Sequence, residues 1–343
     1  MDEFDLAVAE HRAGRLDAAE RGYRSLPESP KVLHNLGVLL IAQERFDEAE
    51  AVLKRVLELD PGNGPSAFSL AMQLLARGAY AEAWPHYEGR RRQPGLHIPS
   101  IDHLPEWRGE DLAGKRLVVL GEQGFGDQIQ FARFLPMLPP NAGVTYVCSP
   151  PLMRLMQNRH ARLAPGVVGA APFQGDYWVL LGSLPLRLGV TLENLPPPLP
   201  TPVVWRGRGG GVGVIARGRP SHTHDAHRSL DPASTRRLLG LGLDLAPEAT
   251  GARDFADTAL IVAGLDLVIT VDTSVAHLAA SMGAPTWVLL PRRGLDWRWL
   301  RDRADSPWYP TVRLFRQREA GDWASVLDEV EAELAALGLR KGA

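Results

Sequence analysis

Between residues 33 and 87 the chain repeats itself at an interval of 34. Leu33, Leu36, Gly37, Leu40, Ala49 and Leu53 return at that spacing as Ala67, Leu70, Ala71, Leu74, Ala83 and Tyr87. A fixed period of this length means stacked supersecondary units, none of which buries its apolar face alone. The small residues Gly37, Ala49, Ala71 and Ala83 fall where two helices must approach closely, and the large ones fill the space between successive hairpins. Leu6, Gly14, Leu16, Ala19 and Tyr23 follow the same pattern one unit earlier, with a shorter connection through Pro27 and Pro30. Three units are about the minimum that closes a continuous core.

The interval is that of the tetratricopeptide (TPR) helix–turn–helix, so residues 1–93 are expected to be TPR-type helical repeats, with an ordinary helical bundle as the alternative. From 94 to 114 the periodicity stops, and Pro94, Pro99 and Pro105 mark a linker. The pattern then changes to short apolar runs: Arg116 to Gly121, Val144 to Cys148 and Tyr177 to Leu181. Such runs predict buried parallel strands, and residues 115–200 a Rossmann-like unit. A second punctuation follows over 196–211, rich in proline and then glycine, which reads as an interdomain linker. A second Rossmann-like unit is expected over 201–343. It has strands at Val212 to Ala216, Leu267 to Val271 and Thr286 to Leu290, helices at Phe255 to Gly264 (behind Asp254 as N-cap) and Val275 to Met282, and a closing helix at Trp323 to Leu337. The fold class is therefore α + α/β: helical repeats, then a pair of Rossmann-type domains across a cleft.

Bulk properties narrow the function. The 343 residues leave room for two or three compact units. With 38 basic against 40 acidic residues there is no electrostatic reason to expect nucleic acid as a partner. The single cysteine, Cys148, lies in an apolar run and reads as a buried small residue rather than a nucleophile. The acidic start, Met1-Asp2-Glu3-Phe4-Asp5, lacks the basic and apolar regions of a signal peptide, and no stretch is apolar enough to predict a membrane span. The cytoplasm is the expected compartment.

Four segments carry candidate chemistry. Gly121-Glu122-Gln123-Gly124-Phe125-Gly126-Asp127 joins a strand to a helix; its glycines let the backbone approach an anion at the helix start. Gly124, Gly126 and Gln128 are candidates for a phosphate, and Asp127 is either a base for a hydroxyl or a capping residue. Asp272-Thr273-Ser274-Val275-Ala276-His277 follows a buried strand, at the edge where open α/β sheets bind ligands. Asp272, Thr273, Ser274 and His277 are candidates there, against a reading as caps and a packed histidine. In Ser221-His222-Thr223-His224-Asp225-Ala226-His227-Arg228-Ser229 no recognised metal-ligand spacing is present, and Arg228 is the better candidate, for a phosphate. No two aspartates are separated by one residue, so the Asp-x-Asp metal device is missing. Finally, Leu295 to Leu300 and Asp305 to Pro310 interleave aromatic and charged residues, suited either to a ligand cleft or to a domain seam.

The segment Glu122 to Arg133 resembles one found in bacterial TPR-fused glycosyltransferases, as do Asp254 to Ala259, Val271 to Ala279, Asp296 to Leu300 and Asp305 to Pro310. These enzymes have a GT-B fold, are related to heptosyltransferase-like families (glycosyltransferase family 9), and some modify flagellin. The resemblance spans nearly the whole chain. It implies metal-independent transfer of a sugar from a nucleotide-sugar, with no cofactor, to a protein acceptor held by the TPR module. Within it, Gly126-Asp127 matches the Gly-Asp pair whose aspartate is the base, and Asp272 to His277 matches the donor-binding segment, with Ser274 in place of the usual glycine. Arg228 is a looser match to a basic donor residue. On this reading residues 115–200 face the acceptor and 201–343 bind the donor. Two departures stand out: Ile215 to Pro220 replaces Trp-x-Gly-Asn-Pro, and no Ser-Leu-Gln strand end precedes Asp254. Only Leu238 to Arg253 fills that interval, which predicts a shortened sheet and keeps a non-catalytic TPR scaffold as the second reading.

Overall fold

The computed structural model describes residues 2–157, 161–166, 173–207, 209–218 and 225–338. The chain divides into two compact units, Met1–Ile98 with Gly189–Leu192, and Pro99–Leu188 with Glu193–Ala343.

The first unit consists of helical hairpins: α1 (Glu3–Arg12) with α2 (Leu16–Ser25), α3 (Pro30–Ala42) with α4 (Phe46–Leu59), and α5 (Gly64–Ala76) with α6 (Tyr80–Tyr87), closed by a 3₁₀ turn at Glu88–Arg92. The first helix of each hairpin starts on a side-chain cap. Asp2, Ser29 and Asn63 accept from the amides of Asp5, Val32 and Ser66 at 2.7, 3.3 and 3.1 Å. Pro30 and Pro65 stand in the first turns of α3 and α5, where a missing N–H costs nothing. The second helices have no such cap. Each is entered through a left-handed residue, Gly14 (φ 75°), Glu44 (φ 60°) and Gly78 (φ 86°), at equivalent repeat positions. The hairpins close on the small residues predicted from the period: a Cβ on Gly37 would stand 2.9 Å from Leu53 Cγ and Cδ2. Gly189–Leu192 belongs to this unit although it lies far along the chain, and Trp84 Nε1 donates to the Val190 carbonyl at 2.8 Å.

The second unit holds two sheets. The first has the order β3–β2–β1–β4, all parallel, from β1 (Arg116–Leu120), β2 (Gly143–Cys148), β3 (Arg162–Pro165) and β4 (Tyr177–Leu180). Helix α7 (Phe125–Phe131) follows β1, and the short α8 (Leu184–Arg187) follows β4. The second sheet draws on β5 (Val212–Ile215), β6 (Leu243–Asp244), β7 (Leu267–Val271), β8 (Thr286–Leu290), β9 (Asp305–Ser306) and β10 (Tyr309–Arg316). Its order is β6–β5–β7–β8–β10–β9, parallel except for the last pair. Its helices are α9 (Asp225–Arg228), α10 (Pro232–Leu239), α11 (Pro247–Thr250), α12 (Phe255–Val262), α13 (Ser274–Ser281) and α14 (Trp323–Ala336). The first order is that of a Rossmann half and the second begins as the other common doubly wound order, so the fold class is as expected: TPR-like repeats, then a pair of parallel α/β sheets.

Several expectations need correction. The linker over 94–114 forms no helix or strand but is anchored at three points: Ile101, Trp107 and Leu112 are buried, and Trp107 N donates to the Trp178 carbonyl at 2.7 Å along the edge of β4. The second punctuation is anchored too, because Gly209 N and Gly211 N donate to the Asp266 carboxylate at 2.8 and 3.0 Å. Strand β10 was not foreseen; Pro310, Arg313 and Arg316 break up its apolar pattern. At the interval where a strand was expected to be missing, β6 survives as two residues paired with β5. Cys148 is buried, and burial pushes its thiol up to about 11, which leaves it inert as a nucleophile.

Candidate functional site

Open parallel sheets bind ligands beyond the carboxyl ends of their strands, where the strand order reverses. In the first sheet that point lies between β1 and β4, in the second between β5 and β7. The loops leaving those strands carry the sequence-predicted residues, and the two helices that follow, α7 and α13, pack on one another. Gly126 makes this possible. A Cβ there would lie 2.7 Å from His277 Cδ2 and 3.5 Å from Ser274 Cα, so only glycine lets the start of α7 reach α13. Phe125 and Phe255, the first residues of α7 and α12, meet edge to face at 5.2 Å. Arg154, beyond β2, joins the same seam through Asp254 and Asp257 at 2.9 and 2.8 Å.

Asp127 sits in this seam, its side chain 20% exposed. One carboxylate oxygen accepts from Gly124 N at 2.8 Å and so caps its own helix. The other is paired with Arg298, a residue not foreseen as part of the site. Arg298 is buried and spends its guanidinium three ways: Nη2 on Asp127, Nε on the Gln130 side-chain oxygen, and Nη1 on both oxygens of Asp296 at 2.9 and 2.8 Å. It lies over the Trp297 ring at 4.5 Å. Burial pushes the Asp127 carboxyl above its usual range, opposed by the Arg298 charge. Asp296 goes the other way: burial works against its charge, but the adjoining guanidinium brings it below the usual range.

On the second sheet, β7 ends at Val271 and Asp272 opens the turn into α13. Asp272 is half-buried; burial, followed by the charge of Asp296, pushes its carboxyl up to about 7. Thr273 stands at the N-cap position of α13 without making a side-chain cap, and the helix opens at Ser274. Arg228 reaches the same turn from α9. Its Nη1 donates to the Asp272 carbonyl at 2.9 Å, and its Nε to Asp225 at 3.1 Å.

The predicted residues therefore divide. Asp127, Gly124, Gly126, Arg228, Asp272, Thr273 and Ser274 come together along the seam. Gln128 does not open to it: the side chain is buried and exchanges two 2.9 Å hydrogen bonds with Ser149, tying α7 to the end of β2. His277 is 4% exposed, stacked on Trp299 at 5.4 Å, with Nδ1 2.9 Å from the Tyr309 hydroxyl. Burial, then the Arg298 charge, takes its imidazole down to about 3, so it is neutral packing that holds α13 in place. Of the histidine-rich segment, residues 221–224 lie outside the described residues. Among the described residues no group of three or more His, Cys, Asp or Glu side chains is placed to hold a metal ion, and no helix is long and apolar enough to cross a membrane. The aromatic segments form the seam itself: Trp297 and Trp308 pack on Phe131 at 6.3 Å, and the buried Arg133 donates to the Trp308 carbonyl at 2.9 Å. The closing helix α14 instead covers the second sheet, held by Arg237 to Glu331 and Asp328, each at 2.6 Å. Arg298 and Asp296 were legible only as charges inside an aromatic run.

Residues 30–63 match the tetratricopeptide repeat family. Over 94% of its length the chain is similar to Protein FlbA of Caulobacter vibrioides, 26% identical over 392 residues. It spans 64% of that protein. Among solved structures it is similar to a glycosyl transferase family 9 protein from Veillonella parvula, at 13% identity and TM-score 0.44, covering 66% of this chain and 99% of that one. It is also similar to the iron-containing dodecameric glycosyltransferase TibC from enterotoxigenic E. coli, at 11% identity and TM-score 0.43, covering 66% and 78%.

Proposed function

We propose that the α/β unit transfers a sugar from a nucleotide-sugar donor to a hydroxyl of a protein acceptor, without a metal ion, and that the TPR module binds that acceptor. The observation that carries this reading is the meeting of both topological switch points at one seam, with a carboxylate on one side and an uncapped helix start on the other. Asp127 takes the proton of the acceptor hydroxyl as its oxygen bonds to the sugar's anomeric carbon. The bond from that carbon to the phosphate oxygen breaks, and the nucleotide (a diphosphate, or a monophosphate from a CMP-sugar) leaves with the electron pair. Its negative charge falls to Arg228 and the first-turn amides of α13. A carboxyl raised by burial suits a base that works near neutral pH. The sequence carries no Asp-x-Asp pair to hold a metal for the leaving group.

A second reading, a TPR adaptor whose α/β unit no longer catalyses, is favoured by one feature: both Asp127 oxygens already have partners. Thermal shift of the full chain with UDP-, ADP-, GDP- and CMP-sugars separates the two. Stabilisation by one of them is expected for the transferase, and by none for the adaptor. With the stabilising donor, Asp127→Asn is expected to keep the shift and lose about 100- to 10,000-fold in transfer. Full transfer by that variant removes Asp127 as the base.

A further inference from the structure

Three carboxylates, Asp127, Asp272 and Asp296, converge on the neighbourhood of one guanidinium, and that guanidinium is held from several sides. Asp296 caps the 3₁₀ turn Trp297–Trp299 by accepting from Arg298 N at 2.9 Å, and the same carboxylate grips Arg298 Nη1. The turn leaves through Leu300 in a left-handed conformation (φ 52°), costly for a leucine. Arg316 on β10 clamps it there, Nη2 donating to the carbonyls of Trp299 and Leu300 at 2.7 and 2.9 Å. Gln130, fully buried, turns its oxygen to Arg298 Nε and leaves its amide nitrogen without a partner. So much fixed geometry, strain included, around one side chain points to a task for it beyond packing.

We propose that Arg298 is a positioning residue for Asp127: it fixes the orientation of that carboxylate and holds it charged, while Asp296, Gln130 and the Arg316-clamped turn hold Arg298. The chemical purpose rests on the reading of Asp127 as a base, but the positioning does not. Without Arg298, the groups facing Asp127 are Glu122 from its own loop, Asp296 from the aromatic turn, and the neutral His277 beneath Gly126; the nearest of these charges repel it. Asp272 faces Arg298 and Asp296 from the second sheet, with Arg228 beside it. Two carboxylates competing for one guanidinium give the arrangement a sign that simple packing lacks. Removing Arg298 must make Asp127 harder to ionise. Removing the charge of Asp296 must make it easier, since a repelling neighbour goes and Arg298 is left to Asp127.

The test is a carboxyl-carbon NMR titration of the full chain, with the Asp127 signal assigned by its loss in Asp127→Asn. Arg298→Met is expected to raise the Asp127 midpoint by about one pH unit or more, the size of effect a contacting opposite charge has. Arg298→Lys is expected to raise it less, because a point charge cannot bridge three partners. Asp296→Asn is expected to lower it. Circular dichroism checks that each variant is folded; where the Met variant is not, the Lys and Asn variants decide the matter by their opposite signs. Shifts of the same sign in Arg298→Lys and Asp296→Asn, or no shift in either, overturn the proposal. This readout needs no donor or acceptor. Opposite shifts combined with full transfer by Asp127→Asn would leave the positioning standing and remove the proposed base.

Discussion

The two units place their carboxylates in opposite circumstances. In the helical repeats acidic side chains sit at the surface beside cations. Arg15 holds Glu10, Arg45 holds Glu48 and Lys54 holds Glu82 below the usual carboxylate range. Such pairs are solvated and contribute little to stability. In the seam of the α/β unit, burial outweighs the available cations and pushes Asp127 and Asp272 upward. Water compensates for the charges of the repeats, whereas the seam gathers three carboxylates around Arg298, which neutralises Asp296 and leaves Asp127 and Asp272 raised. Shifts of this kind gather at functional sites, which is in keeping with the proposed chemistry on a hydroxyl and a phosphate.

The largest expected effect tests the seam's packing against that of the repeats. Gly126→Ala drives a Cβ to 2.7 Å from a histidine ring fixed by Trp299 and Tyr309, and is expected to cost about 2–3 kcal/mol. Gly37→Ala looks similar on paper, with Leu53 Cγ and Cδ2 at 2.9 Å, but the clash is with one aliphatic side chain and not with a ring fixed on two sides. Alanine also favours the helix interior by about 0.5–1 kcal/mol, so this variant is expected to fall within about 1 kcal/mol of neutral. Urea unfolding of the two variants side by side measures the difference. Equal losses would mean that the seam is no more tightly specified than a repeat.

Next in size is a pH effect confined to the α/β unit. Asp272 has a folded pKa of about 7 against about 4 unfolded, so its contribution is fully present below pH 4 and is lost as pH rises through 7. His277, at about 3 folded against about 6.5 unfolded, contributes above pH 6.5 and loses that contribution as pH falls toward 3. The two slopes oppose each other between about pH 4 and 6.5, giving a plateau with a fall on either side. Asp272→Asn is expected to remove the alkaline fall and to leave stability rising up to about pH 6.5. Thermal unfolding across pH 4–8 reads this, and an unchanged alkaline limb would mean that Asp272 is solvated after all.

The same contrast explains how much was legible in the sequence. Repeats are written locally: residues 34 apart do the same job, so period and small-residue placement give the hairpins without further information. Strands β7 and β8 were equally plain, because a strand buried at every position is a nearly continuous apolar run, broken in each only by a threonine. The seam is written non-locally. Asp127 and Arg298 are 171 positions apart, and no pattern along the chain pairs them. Gln128 and His277 occupy motif positions, yet burial decides what they do: one ties α7 to Ser149, the other fills the gap beneath Gly126. A motif fixes which loop faces the crevice; only packing decides which of its side chains reach it.

The smallest effect sharpens the comparison from the repeat side. Gly14, Glu44 and Gly78 occupy one position in successive hairpins, all left-handed, and only the middle one has a side chain. A left-handed residue with a Cβ costs roughly 1–2 kcal/mol, and glycine gives back roughly 0.5–1 of that through its freer unfolded chain. Glu44→Gly is therefore expected to stabilise the helical unit by about 0.5–1 kcal/mol. Gly78→Ala should act in the opposite direction and by more, because it adds the left-handed penalty and sets a Cβ 2.7 Å from Leu192 Cδ1. If Glu44→Gly destabilises instead, the contacts of the Glu44 side chain outweigh its backbone strain. The repeats would then hold a strained residue through its side-chain partners, where the seam holds Leu300 through its carbonyl.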